Sequence, residues 1–256
     1  LIQAMGGVMS LTGVPDGEPM KVAVPICDLM AGMYATVGIL AAVRHQTETG
    51  EGQFIDIGML DTHIGWLANQ GMNYLATGEN PDRIGNMHPN ILPYQVMPTS
   101  DGYIVLSVGN DPTFERFCKL AECEHLLEDE RFQTNAARVS NRDHVTSVLN
   151  EITNKKPSAW WLEELEREKI GCGPINNLDQ VFDDPHVKAR EMVVEMEHPA
   201  MGTKPMKLIA NPIKLSKTPP TYRKAPPMLG QHTEDILKEA GLSDEEITKL
   251  KDDGTV

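Results

Sequence analysis

The chain has 256 residues, 40% hydrophobic and 23% charged, with a formal net charge of −14 at pH 7. That length holds one large domain or two modest ones, and the composition is ordinary for a globular protein. Lysine and arginine form no basic stripe, which argues against a nucleic-acid partner.

The apolar stretch 29–43 is shorter than the ~18 residues that suggest a membrane span, so a buried helix is expected there and no membrane partner. The four cysteines, Cys27, Cys118, Cys123 and Cys172, include no C-x-x-C pair, and the eight histidines no His-x-x-x-His pair. We expect buried thiols in a reducing, cytoplasmic setting, with no disulfide framework and no metal site. The chain opens at Leu1 without a basic segment leading into an apolar one, so no signal or transit peptide is read. Its first residues look like the middle of something longer.

Residues 1–21 read as irregular, with Gly6-Gly7 and the turn signal Pro15-Asp16-Gly17. An extended apolar run then leads into Asp28, the only charged side chain between Lys21 and Arg44, and on into a long apolar helix. A lone carboxylate there must be satisfied, because an unpaired buried charge is expensive. It could cap the helix, accepting from free backbone N–H groups at the positive end of the dipole. It could equally be an ionised, fixed nucleophile. The local sequence does not separate the two roles.

The helix is expected to run to about residue 46, buried on all sides. Gly32 and Gly38 would permit close packing or ligand approach, and 49–52 would stop the helix. Residues 53–59 read as a strand. Asp61 is placed to cap a second helix ending at Thr77-Gly78, and Asp56 and Asp61 read as structural, a cap or a partner for Arg44. Helix, strand, helix in that order points to an α/β architecture.

Residues 79–102 contain four prolines and read as a long loop at a domain boundary. Beyond it we expect a strand at 103–109 and a helix opened by Asp111 as N-cap with Pro112. Further helices are expected at 140–153 and 158–169, the latter with Trp161, Leu162 and Leu165 on one face. A loop or strand at 171–177, short helical turns near 179–182 and 185–189, and a strand at 192–197 follow. Residues 198–230 read as a proline-rich extended passage. Two helices close the chain, the second opened by a capping box from Ser243 to Glu246.

No G-x-G-x-x-G, P-loop, G-x-S-x-G or H-E-x-x-H motif occurs. The residues alone therefore describe an α/β protein of two units.

Ten segments in order carry more. They are Leu11-Thr-Gly-x-Pro-Asp-Gly17, Val24-Pro-x-x-Asp28-x-x-x-Gly-x-Tyr34, Thr49-Gly-x-Gly-Gln53-x-x-Asp56, Gly85-Asn-x-His-Pro89, Pro93-Tyr94, Asp101-Gly102, Cys172-Gly-Pro-Ile175, Asp184-Pro185, Ser216-x-Thr-Pro219 and Ala225-Pro-Pro-x-Leu-Gly-x-His-Thr233. The series resembles the class III CoA-transferases, the family of formyl-CoA transferase and carnitine CoA-transferase. The resemblance implies that family's α/β two-domain fold, N-terminally incomplete here, in an interlocked homodimer. Residues 1–84 would form part of the large domain, 85–190 the small domain, and 191–256 a return to the large one.

It implies that Asp28 is the nucleophile, passing through an aspartyl anhydride and an aspartyl-CoA thioester. The substrates would be an acyl-CoA and a small carboxylic acid, with coenzyme A entering as substrate and no cofactor. Gly85, Asn86 and His88 would belong to a substrate-binding loop, with His88 either contacting an acyl carboxylate or ordering a turn. With one glycine and a proline, that loop departs from the glycine-rich lid of formyl-CoA transferase, which argues against formate or oxalate. It resembles instead the loop of members that use succinyl-CoA or related dicarboxylates. Two alternatives remain open at this point. One is an α-methylacyl-CoA racemase, in which Asp28 would be a general acid/base beside a histidine. The other is an inactive structural or oligomerisation fragment.

Overall fold

A computed structural model describes residues 1–256. Contacts divide the chain into two units, Leu1–Ile175 and Asn176–Val256.

The packed part of the first unit is built on an antiparallel sheet. Tyr94–Thr99 (β1) pairs with Gly102–Ser107 (β2) through a turn at 100–101, with Met97 opposite Ile104. Gly171–Pro174 (β3) joins the other edge of β2, with Leu106 opposite Cys172. Alternation sends Met97, Ile104 and Leu106 to one face, where all three are fully buried. Helices Asp111–Leu120, Arg142–Thr153 and Ser158–Arg167 cover that face with Phe114, Phe117, Leu149, Trp161 and Leu165. Trp161 belongs to the core, its indole N–H donating to Thr153 O at 2.8 Å.

A buried cation sits among these aromatics. Arg138 is fully buried and donates to Leu92 O (2.7 Å), Phe132 O (2.8 Å) and Asp111 Oδ1 (2.9 Å). Its guanidinium lies 4.2 Å from the centre of the Phe114 ring. Every face of the charge is thereby met, the condition for burying it.

The second unit holds Val193–Met196 (β4) paired antiparallel with Met206–Ile209 (β5). Helices Thr233–Glu239 and Asp244–Asp252 end the chain. The second opens with the expected capping box between Ser243 and Glu246.

Several expectations are corrected. Residues 53–58 form no strand and have no ladder partner, and Met59 already belongs to a helix, leaving Phe54 92% exposed; a strand needs a neighbour for its N–H and C=O groups. The second helix is broken into Met59–Ile64 and Ala68–Thr77. Arg44 pairs with Glu48 one turn away, not with Asp56 or Asp61. The N-cap of the 111–120 helix is Asn110, whose Oδ1 accepts from Thr113 N at 2.9 Å, and this moves Asp111 inside the first turn. The passage 198–230 is interrupted by β5 and a 3₁₀ turn at Pro199–Met201. Residues 1–21, expected to be irregular, contain the single turns Ile2–Met5 and Val8–Leu11.

The long helix spans Ile26–Thr49 and stops where Gly50, at φ 79°, donates back to Gln46 O. It was expected to be buried, yet only Ile26 and Cys27 are. Leu29, Met33, Val37, Leu40 and Val43 are each more than half exposed. With a mean hydropathy of 1.8 in its most apolar window, it is long and apolar enough by composition to cross a membrane, more than the uninterrupted run 29–43 suggested.

Candidate active site

Asp28 lies in the first turn of the long helix and is exposed. It is not the N-cap, as the sequence suggested. Pro25 holds that position, no side chain caps the end, and the Asp28 carboxylate forms no hydrogen bond or ion pair within the chain. The reason is local. The Pro25 ring presets the turn, Ile26 N–H is taken by Val24 O (2.8 Å) and Leu29 N–H by Pro25 O (3.1 Å). The helix therefore starts without help from Asp28, whose carboxylate projects from a positive helix end with no protein partner. Between those two bonds, the amides of Cys27 and Asp28 have no protein acceptor either. A carboxylate and free N–H donors thus share one turn, a pairing suited to nucleophilic attack on a carbonyl with donors for the oxyanion.

Below this turn, Cys27 Sγ lies 3.3 Å from Nδ1 of His63, a residue of the helix Met59–Ile64. Both are buried. No sequence motif marks this pair. Only the position of Cys27 beside Asp28 hinted at it, because 36 residues separate the two partners.

Gly85, Asn86 and His88 fall in one loop between the helix Ala68–Thr77 and β1. Gly85 sits at φ 63° and its N–H donates to Gly13 O at 3.0 Å, which ties the loop to the 12–17 turn. Asn86 is exposed and forms no hydrogen bond within the chain. His88 is stacked on Tyr94, ring centres 5.3 Å apart and planes within 10°. Its backbone N–H donates to Tyr94 O, and its ring Nδ1 accepts from Asn90 N at 3.1 Å. His88 therefore orders a turn. With Nδ1 accepting, the neutral ring carries its proton on Nε2, so it also offers a donor. Partial burial, and then the nearby Arg142 guanidinium, hold its pKa below the ordinary 6.5 and keep it neutral. Arg142 fixes the same loop by donating to Pro89 O at 2.8 Å. No hydrogen bond joins Asp28 to Gly85, Asn86 or His88.

An apolar groove of 610 Å³ lies elsewhere. Phe182, Val187, Met192 and Leu208 of the second unit line it, with none of the residues above.

Comparison with known proteins decides the family. The model of CoA-transferase family III matches residues 1–233. The chain belongs to that family. This family III chain is 41% identical over 239 residues to a succinate–glutarate CoA-transferase of Agrobacterium fabrum, covering 93% of this chain and 59% of that protein. It is 35% identical over 254 residues to the human succinyl-CoA:glutarate CoA-transferase, covering 99% and 58%. Against a succinyl-CoA:mesaconate CoA-transferase of Haloarcula marismortui it is 35% identical over 242 residues, covering 94% and 60%. The family III chain thus spans about three-fifths of the length of these relatives. Among solved structures, a CaiB/BaiF family protein from Brucella suis superposes with a TM-score of 0.75 at 41% identity, covering 93% of this chain and 61% of that one.

Proposed function

We propose that this chain carries the nucleophile of an acyl-CoA:carboxylate CoA-transferase whose substrates are dicarboxylic acids. The observation that carries the reading is Asp28 itself: an exposed, unpartnered carboxylate on a helical turn with free amides, inside the segment matched by the family.

The chemistry proceeds by exchange. An Asp28 oxygen attacks the thioester carbonyl carbon of the donor, the C–S bond breaks, and a mixed anhydride forms with release of CoA thiolate. The thiolate attacks the Asp28 carbonyl carbon, expelling the donor carboxylate and leaving an aspartyl-CoA thioester. The acceptor carboxylate attacks that thioester carbonyl, again freeing the thiolate and making a second anhydride. Thiolate attack on the acceptor's acyl carbon then yields the new acyl-CoA and restores Asp28. No redox partner or cofactor is needed, since coenzyme A is substrate and product. One hard exchange between acids becomes four milder steps. The Cys27 and Asp28 amides are placed to donate to tetrahedral oxyanions.

The substrate class rests on relatives whose names pair succinyl-CoA with glutarate, mesaconate or D-citramalate. Another relative, 33% identical over 209 residues, is named for oxalate, so oxalate, itself a dicarboxylate, belongs among the acceptors to be tried despite the single-glycine loop. The Nε2–H of His88, held neutral, is suited to donate to a substrate carboxylate, and Asn86 is free to do the same. Gly85 supplies the turn that presents them.

The exposed apolar helix supports a protein partner, because patches this large are seldom left in water. A second copy of the whole protein, in the cytoplasm, is our reading, with 85–190 as the small domain and 1–84 and 191–256 on the large one.

The test is trapping. The full-length protein is incubated with succinyl-CoA, then treated with hydroxylamine or borohydride, and its peptides are weighed. A hydroxamate or an alcohol at Asp28 is expected. Turnover without modification at Asp28, or exchange of the α-proton without transfer, would refute the reading.

A further inference from the structure

The Cys27–His63 contact is the single side-chain hydrogen bond from the long helix to a segment remote in sequence. It lies at the one turn of that helix that is buried, next to Asp28. His63 is 1% exposed and its Nε2 has no partner. Whichever of sulfur and Nδ1 carries the shared proton, the buried Nε2 is left unpaired, a costly arrangement. An apolar side chain of similar shape would fill the slot without that cost. What the imidazole supplies is Nδ1, the atom that holds Cys27.

The ring is itself wedged. A Cβ on the buried Gly6 would overlap His63 Cδ2, so the backbone after the turn Ile2–Met5 packs directly against the imidazole. Gly6 has φ −88°, a conformation open to any residue, so its lack of a side chain serves the ring and not the turn. The His63 ring is thus held between the Gly6 backbone and the Cys27 sulfur.

Successive residues on an α-helix point about 100° apart. Fixing Cys27 inward therefore fixes the direction in which Asp28 points outward. The Asp28 carboxylate has no hydrogen bond of its own, so its aim depends on how this buried turn is seated.

We propose that Cys27 and His63 are a positioning pair for Asp28, aligning the carboxylate for attack on the thioester. The inference rests on the reading of Asp28 as nucleophile. Neither residue touches substrate. The pair acts on the orientation of its neighbour, and a misplaced reacting group is where a small shift becomes a large loss in rate.

The experiment is steady-state kinetics of the full-length protein with succinyl-CoA and glutarate, on wild type, Cys27→Ala and Cys27→Ser, alongside thermal unfolding. Cys27→Ala is expected to lower kcat about 10- to 100-fold and to leave KM for succinyl-CoA within about twofold, because orientation and not binding is lost. Cys27→Ser keeps a donor to Nδ1 and is expected to recover most of kcat. Should Cys27→Ala unfold at the assay temperature, Cys27→Val fills the site without a donor and is expected to show the same kcat loss. A kcat unchanged in both apolar variants, a loss confined to KM, or a serine variant as slow as the alanine one would overturn the pair. A wild-type protein that transfers no CoA would overturn the reading of Asp28 and the pair with it, an outcome told apart by the wild-type control.

Discussion

Two helices of the first unit make opposite use of apolar residues. Ser158–Arg167 confines Trp161 and Leu165 to one face and buries them against the sheet β1–β3, with Glu163 and Glu166 turned to water. Ile26–Thr49 is apolar around most of its circumference and buries only its first two residues. The amphipathic helix finds its whole partner within the chain. The apolar surface of the long helix finds no such partner within the chain, and its buried end is the end that carries Asp28. Structure and chemistry are thus held apart. The 92–175 region holds the buried core, while the long helix exposes an unpartnered carboxylate.

The largest effect expected from that separation is chemical. Asp28→Asn is expected to lower CoA transfer by the full-length protein at least about 10⁴-fold, as removal of a nucleophile does. Because Asp28 is exposed and unpartnered, the urea midpoint should report a stability change under about 0.5 kcal/mol. A variant that lost activity and stability together would break the separation.

Stability itself should divide by region. Phe117→Ala empties a fully buried site among Phe114 and Trp161 and is expected to cost about 4 kcal/mol. Leu40→Ala, at 64% exposure, is expected to cost under about 0.5 kcal/mol in this chain. Equal losses in urea unfolding would mean that the long helix is already covered here. Arg138→Met lies between them. It removes a buried charge but orphans the carbonyls of Leu92 and Phe132, for an expected loss of about 2 kcal/mol. A neutral result there would show that methionine packing over Phe114 offsets the lost hydrogen bonds.

The same division explains what the sequence revealed. The core helices were legible because Trp161 and Leu165 recur with helical period, and β2 because its apolar run is bounded by Asp101-Gly102 and Gly109. The Ser243 capping box was legible because its signal is four residues long. The long helix was legible as a helix and misread as buried, since apolarity measures what a segment needs and not whether one chain supplies it. Residues 53–59 failed for the same reason, their period fitting a strand with no neighbour to pair with. Asp28 is singled out as the candidate nucleophile by the order of ten segments, which local physics does not encode. Cys27 and His63 were not found, because a contact across 36 residues leaves no trace in spacing. Asn110 took the cap from Asp111 because Asx side chains compete at adjacent positions, and here Arg138 and Asn135 N–H engage the aspartate instead.

The loop of His88 belongs to neither region cleanly, and the smallest effect is expected there. It hangs from β1 by the Tyr94 stack and from the core by Arg142, yet it carries candidate substrate contacts. Its imidazole has a pKa below 6.5, from partial burial first and Arg142 second, so the folded loop favours the neutral ring. The sign follows. This contribution to stability is fully present above the unfolded value near 6.5 and is lost as pH falls through the lower folded value, where protonation of Nδ1 ends its bond from Asn90 N. NMR titration of the His88 ring should give a midpoint below 6.5, with the Asn90 amide resonance moving in step. His88→Phe keeps the stack on Tyr94 and loses only the Asn90 bond, so it should cost under about 1 kcal/mol at pH 7.5, a difference that narrows as the wild-type ring protonates. A midpoint above 6.5 would place a carboxylate, and not Arg142, as the dominant neighbour of the ring, and would remove the neutral Nε2–H as a candidate substrate donor.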